Sequence, residues 1–176
     1  TDALVFAGAQ KNFGPAGLTV VIVKKSLLGL AGETCPTMLN YAVHAKAGSL
    51  YNTPPVFAIY MACLVTRWLK KEGGVAEMDR RARERSSLIY DVIDKSSGFY
   101  INRIAPEARS RMNVVFHLAE DALTDLFVKE AADAGLVNLK GHRLAGGIRA
   151  SMYNALPMEG AVALANFMKV FAARHG

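Results

Sequence analysis

Cysteine is scarce in this chain: Cys35 and Cys63 stand far apart in 176 residues, outside any CxxC or Cys/His spacing. That excludes a disulfide framework and a structural zinc site, so no metal is expected and a reducing, cytoplasmic compartment fits best. Long apolar runs are missing too. The longest, VFAIYMACLV at residues 56–65, is ten residues long and is followed by Arg67, Lys70 and Lys71, whereas a spanning helix needs about 20. It reads as a buried helix of a soluble protein with no membrane partner. The six prolines and 15 glycines gather into no linker, low-complexity tract or repeat, which leaves a chain compact throughout. No charged-then-apolar leader and no initiating methionine opens the sequence, so a truncated or processed chain is expected. A GxGxxG fingerprint and a Ser-His-Asp order are likewise missing.

Acidic residues are outnumbered, 15 against 21 lysines and arginines, for a net charge of +6. Such a chain attracts anions, whether nucleic acid, acidic membrane or phosphorylated metabolites. The densest basic run, AEMDRRARERSS at residues 76–87, places Glu77 four residues before Arg81 and Asp79 four before Arg83. That is the spacing of a solvated helix laced by ion pairs, so no nucleic-acid partner is expected. With 52% hydrophobic residues, the chain can close one large core or two small ones.

ALVFAGA and LTVVIVKK read as buried strands, being short β-branched runs bounded by glycine. Residues 26–53 are too broken for a long helix. Thr53 then reads as an N-cap, with Pro54 in the first helical position of a helix running to about Lys71. EGG at residues 72–74 stops it, and a second amphipathic helix spans about Val75 to Asp94. Beyond it, RMNVVFHLA, LVNLK and GGIRASMY read as strands, while EDALTDLFVKEAADAG and PMEGAVALANFMKVFAARHG read as helices. Alternation of this kind predicts a small α/β unit over residues 75–176. Residues 1–74 read as the end of a different, larger domain, since two strands and one helix cannot close a core alone.

Three stretches can carry chemistry. In FAGAQKNFGPAG, Lys11 sits among small residues, either as a loop lysine in water or as an imine-forming amine at a strand end. In YNTPP, Asn52 and Thr53 flank a helix start, either as a plain cap or as part of a phosphate seat. In GHRLAGGIRASMYNA, His142 and Arg143 precede Arg149 by a few residues, with Gly146 and Gly147 between them. These are either ordinary edge cations or a grip on both ends of a small dianion, Arg149 holding a carboxylate by its two-pronged fork. His117 reads as a packing residue on an apolar strand and His175 as solvent-exposed; His44 carries no assignment.

Taken together, AGAQKNFGPAGLTVVIVKKSLLG, YNTPPVFAIY and GHRLAGGIRASMYNALPMEG resemble, in order and spacing, the lysine segment, the middle and the carboxyl-terminal domain of the phosphoserine aminotransferases. These are pyridoxal-phosphate enzymes of the aspartate-aminotransferase fold, type I. The resemblance implies an α/β chain made of the end of the large cofactor-binding domain, 1–74, and a small carboxyl-terminal α/β domain, 75–176. It implies that Lys11 is the Schiff-base lysine to pyridoxal 5'-phosphate and that Asn52 and Thr53 reach the cofactor phosphate of the neighbouring subunit in a homodimer with shared active sites. His142 and Arg143 are then expected to bind the substrate phosphate, and Arg149 the α-carboxylate. The implied reaction is a ping-pong transamination between glutamate and 3-phosphohydroxypyruvate, giving 2-oxoglutarate and phosphoserine for serine biosynthesis, with a related substrate of pyridoxine biosynthesis in some bacteria. No counterpart is found for the amino-terminal half of the family's large domain, where the pyridine-pairing aspartate and the stacked aromatic ring lie. The expectation therefore concerns the protein of which these residues are part. Two rivals are another fold-type I enzyme and a non-catalytic anion-binding module; a desulfurase among the former would need a reactive loop cysteine, which neither Cys35 nor Cys63 resembles.

Overall fold

A computed structural model describes residues 3–176 of the chain. Two compact units divide it, one ending at Lys71 and the other running Glu72–Gly176.

In the first unit, β1 (Leu4–Gly8) and β2 (Thr19–Val23) pair antiparallel, with Phe6 opposite Val21. A short helix, α1 (Tyr41–Lys46), is capped by the Asn40 side chain, which accepts from the Ala42 N–H at 3.0 Å. The long helix α2 spans Val56–Lys71. Its start corrects the expected cap at Thr53. Each residue before a proline is held away from the helical region, so Pro54 and Pro55 keep residues 53 and 54 extended and delay the first turn to Val56. The Val56 N–H is bonded to Pro54 O at 2.8 Å.

The expected burial of this unit is also corrected. Every residue of β1 is exposed, most of β2 is exposed, and on α2 only Ala58 and Ala62 are buried while Phe57 and Tyr60 lie open. A ribbon of two strands and one long helix has too little surface to cover its own apolar residues. Small groups do meet there: a Cβ placed on Gly14 would lie 3.6 Å from Ala62, at ordinary van der Waals distance.

The second unit opens on α3 (Gly74–Asp94), set off by left-handed glycines at 73 and 74. β3 (Tyr100–Ile101), β4 (Asn113–Leu118) and β5 (Ile148–Ser151) form an antiparallel sheet in the order β3-β4-β5. α4 (Leu123–Asp133) and α5 (Met158–His175) complete the unit. Alternation along the strands buries Val114, Phe116 and Leu118 of β4 with Ile148 and Ala150 of β5, on the face that meets the helices. There Phe127 of α4, fully buried, takes edge contacts from Tyr100, Phe116, Phe167 and Phe171 at centroid distances of 5.0–6.1 Å. The Tyr100 hydroxyl donates to Met168 O at 2.8 Å, and burial raises its pKa.

Three expectations change here. LVNLK forms no strand; Asn138 is left-handed (φ 63°) and only an isolated bridge joins Lys140 to Ile148. His175 is not fully exposed, because its ring lies on Phe171 at 4.4 Å. Arg85 leaves the solvated pattern of its neighbours. It shares the face of Met78, Ala82 and Ile89 at helical spacing, is 1% exposed, and donates from Nη1 to the carbonyls of Asn154, at 3.2 Å, and Leu156. Burial depresses its pKa.

The expected ion pairs do form along α3: Arg81 to Glu77 at 2.7 Å and Arg83 to Asp79 at 2.9 Å. Hydrogen bonds from Arg80 and then Arg81 hold the Glu77 carboxyl at about 2, below its ordinary 4.5. A carboxyl with a folded value below its unfolded one stabilises fully above the unfolded value and loses that contribution as pH falls through the folded one. The stability difference between wild type and Glu77→Gln is therefore expected to be constant near neutrality and to shrink from pH 4.5 towards pH 2. Urea midpoints measured across that range check it.

Candidate functional site

The expected lysine sits in a tight turn after β1. Ala9 is buried and ties the turn to both sides, its N–H bonding Leu18 O at 2.8 Å and its carbonyl accepting from Gly14 N at 2.8 Å. Lys11, one residue past the bridge between Gln10 and Gly14, is exposed and adopts φ 106°. A side-chain residue in the left-handed region is under steric strain, which such turns normally relieve with glycine. Among the described residues, Lys11 Nζ has no ion pair or side-chain hydrogen bond. A Cβ added to Gly8, at the end of β1, would meet nothing within 4 Å.

Asn52 and Thr53 line a cavity of about 470 Å³ within the first unit, together with Thr19 of β2, Tyr41 and His44 of α1, and Ser49. The helix start contributes few donors to it, since residues 54 and 55 are prolines and the Val56 N–H is engaged. The cavity lining includes Asn52 and Thr53 and not Lys11. Tyr41 and Ser49 escaped the sequence reading because they come from an irregular segment with no periodic signal. His44 is held by its Nε2–H, which donates to Met38 O at 2.8 Å.

In the second unit, the remaining candidates occupy one hairpin-like loop and its stem. Gly141 N–H bonds Gly147 O and Arg149 N–H bonds Leu139 O, both at 2.8 Å. His142 and Arg143 are exposed at the turn. Arg149, opposite Val115 of β4, stands on the face of the sheet turned away from the aromatic core. Its Nε is buried and has no hydrogen-bond partner, and no carboxylate pairs with it among the described residues. A buried guanidinium N–H without an acceptor is costly. An incoming carboxylate would satisfy it, and the bidentate fork suits that group. His117, on the same face, is partly buried against the loop: a Cβ on Gly147 would come within 2.9 Å of its ring. No three His, Cys, Asp or Glu side chains among the described residues gather as a metal-binding group.

The arrangement thus offers an unpaired primary amine in a strained turn, a mainly apolar cavity with a few polar side chains in its wall, and cations grouped on a glycine-framed loop. Residues 1–164 match the model of the aminotransferase class-V family, to which this chain belongs. Its fold is the mixed α/β architecture of the fold-type I aminotransferases. Among curated relatives, the phosphoserine aminotransferase of Laribacter hongkongensis is 57% identical over 173 residues, covering 98% of this chain and 48% of the relative. The solved phosphoserine aminotransferase of Bacillus circulans subsp. alkalophilus superposes with a TM-score of 0.94 at 48% identity, covering 99% of this chain and 48% of that one. The phosphoserine aminotransferase of Trichomonas vaginalis, solved with PLP bound, gives 0.89 at 42% identity, with 95% and 48% covered. The chain spans about half the length of the curated relatives it matches.

The backbone strain at residue 11 can be measured by itself. Lys11→Gly is expected to be more stable than Lys11→Ala by about 1 kcal/mol, since only glycine adopts a left-handed φ without penalty. Denaturant unfolding of the two variants side by side tests this.

Proposed function

We propose that the protein containing this chain transfers an amino group from glutamate to 3-phosphohydroxypyruvate, yielding phosphoserine and 2-oxoglutarate, with pyridoxal 5'-phosphate as cofactor. The observation that carries the reading is Arg149. Its Nε is buried and partnerless, and it stands on β5, the strand that leads out of the loop carrying His142 and Arg143, so a carboxylate subsite and a phosphate subsite would belong to one hairpin. The names of the relatives supply the substrate class.

The residues fit the cofactor on two counts: Lys11 has an uncommitted amine with open space at Gly8, and Asn52 with Thr53 brings polar groups to the wall of a mainly apolar cavity. When bound, the cofactor supplies a ring that accepts the electron pair left by the Cα proton. Lys11 would hold the cofactor through its side-chain amine and, when that amine is free, would take up the proton from the substrate Cα. Arg149 orients the α-carboxylate through two N–H groups. His142 and Arg143 hold the phosphate that separates this substrate from its unphosphorylated analogues. We read the unit ending at Lys71 as the end of the large cofactor-binding domain and Glu72–Gly176 as the small domain. The assembly is a homodimer in which Asn52 and Thr53 complete the partner's site. The free thiols of Cys35 and Cys63 agree with a reducing cytoplasm.

Borohydride reduction of the full-length holoenzyme, followed by peptide mapping, is expected to place the cofactor label on Lys11 and nowhere else. A label on another lysine, or none, would return the chain to the anion-binding reading. A second experiment concerns the shared site. Full-length Lys11→Ala and the double variant Asn52→Ala, Thr53→Ala are each expected to be inactive, but mixed under subunit exchange they should form heterodimers with one intact site. Recovery of about half the wild-type activity per heterodimer is expected. No recovery, with exchange demonstrated, would mean that Asn52 and Thr53 serve their own chain.

A further inference from the structure

β5 is a four-residue edge strand, and its two ends are held differently. At its start it has neighbours on both sides: β4 on one, and on the other residues 139–140, through the Lys140–Ile148 bridge and the Arg149 N–H bonded to Leu139 O at 2.8 Å. At its far end, Ala150 and Ser151 pair with β4 alone among the described residues. Beyond Met152, whose N–H bonds Met112 O at 2.7 Å, the chain turns through residues 153–157 into α5. The turn closes on itself once, from the Leu156 N–H to Tyr153 O at 2.9 Å. Asn154 and Leu156 are half-buried, and their carbonyls lie outside both the strand ladder and the helix, so each needs another donor. Arg85 of α3 supplies it. One nitrogen, Nη1, donates to both carbonyls, and the planar guanidinium fixes the angle between its two N–H groups.

Stability alone does not account for a guanidinium at this place. Arg85 is 1% exposed, its Nε and Nη2 are buried without an acceptor, no carboxylate pairs with it among the described residues, and the like charge of Arg81 adds to the cost. Hydrogen bonds to two neutral carbonyls offset the burial of a lone cation only in part. We propose that Arg85 is a positioning residue for the transamination: by clamping the turn after β5 it fixes the strand end on which Arg149 stands, and with it the direction from which that arginine meets the substrate carboxylate. The inference rests on the functional reading above for the role of Arg149. The clamp acts on the carboxylate, which glutamate and phosphoserine share, and not on the phosphate, which only one of them carries.

The test uses the full-length holoenzyme with two substitutions. Arg85→Met keeps an unbranched chain and removes every donor, whereas Arg85→Lys brings an ammonium that can donate to both carbonyls. In Arg85→Met, KM is expected to rise about tenfold for L-glutamate and L-phosphoserine alike, tenfold being the loss of one hydrogen bond to a charged group, with kcat within about twofold of wild type. Hydrogen exchange in the peptide covering residues 148–157 should be about tenfold faster or more, with α4 unchanged. Arg85→Lys should bring both readings back to within about threefold of wild type. A general loss of stability would instead lower kcat through the active fraction and leave KM alone. Unchanged KM values or unchanged exchange in Arg85→Met, a KM rise confined to phosphoserine, or a lysine variant no better than the methionine one would overturn the proposal. Should Arg85→Met fail to fold, Arg85→Gln, whose shorter neutral amide cannot span both carbonyls, takes its place in the same comparison. If the wild type fails to transaminate phosphoserine, the functional reading fails instead, and exchange at residues 148–157, read without turnover, still decides whether Arg85 holds the strand end.

Discussion

Period-two alternation on β4 and β5 is the constraint on which the second unit depends. Val114, Phe116, Ile148 and Ala150 turn to the helices, and the ring of Phe127 fits among four aromatic neighbours behind them. Because that face is filled, the alternate positions, Val115, His117 and Arg149, stand on the other one. A slip of one residue in β5 would turn Arg149 into the aromatic cluster, where a guanidinium without a partner could not remain. The register that closes the core is thus the register that presents the arginine.

The loop above that strand depends on backbone geometry more than on attraction. Three glycines at 141, 146 and 147 allow chain segments to approach more closely than any Cβ permits, and the same closeness sets His142 against the Leu144 amide. Lys11 is the opposite case. Glycine would suit its φ, yet a lysine occupies it, so a turn that could be relaxed carries an amine instead. Strained residues of that kind cluster at functional sites.

Much of this was legible in the sequence. Strong helical periodicity and glycine punctuation located α3, α4 and α5, and β-branched runs located β1, β2, β4 and β5. The two residues of β3 were too few to give a pattern, and LVNLK looked like a strand because its residues favour one, while Asn138 turns the backbone out of it. Burial in the first unit was misjudged because apolar runs state what a chain tends to cover, not what is there to cover it. The candidate residues were legible as motifs, but their physical states were not. The φ of Lys11, the orphaned Nε of Arg149 and the hydrogen bond at His142 Nδ1 arise from contacts within turns and across strands that spacing does not encode. Arg85 shows the same limit: its helical spacing with Met78, Ala82 and Ile89 was visible, but the carbonyls at 154 and 156 that accept its protons were not.

The two-stranded sheet of β1 and β2 has a consequence of its own. Among the described residues each strand is an edge strand, with its outer row of N–H and C=O groups unpaired by a further strand, and its side chains include the exposed Val5, Phe6, Val21 and Ile22. Such a ribbon templates the addition of further strands and, with no proline or charge within either strand to interrupt it, favours stacking with its own kind. Handled as an isolated polypeptide, this chain is thus prone to fibrillar self-association, and its solubility becomes a direct report on whether those edges are occupied.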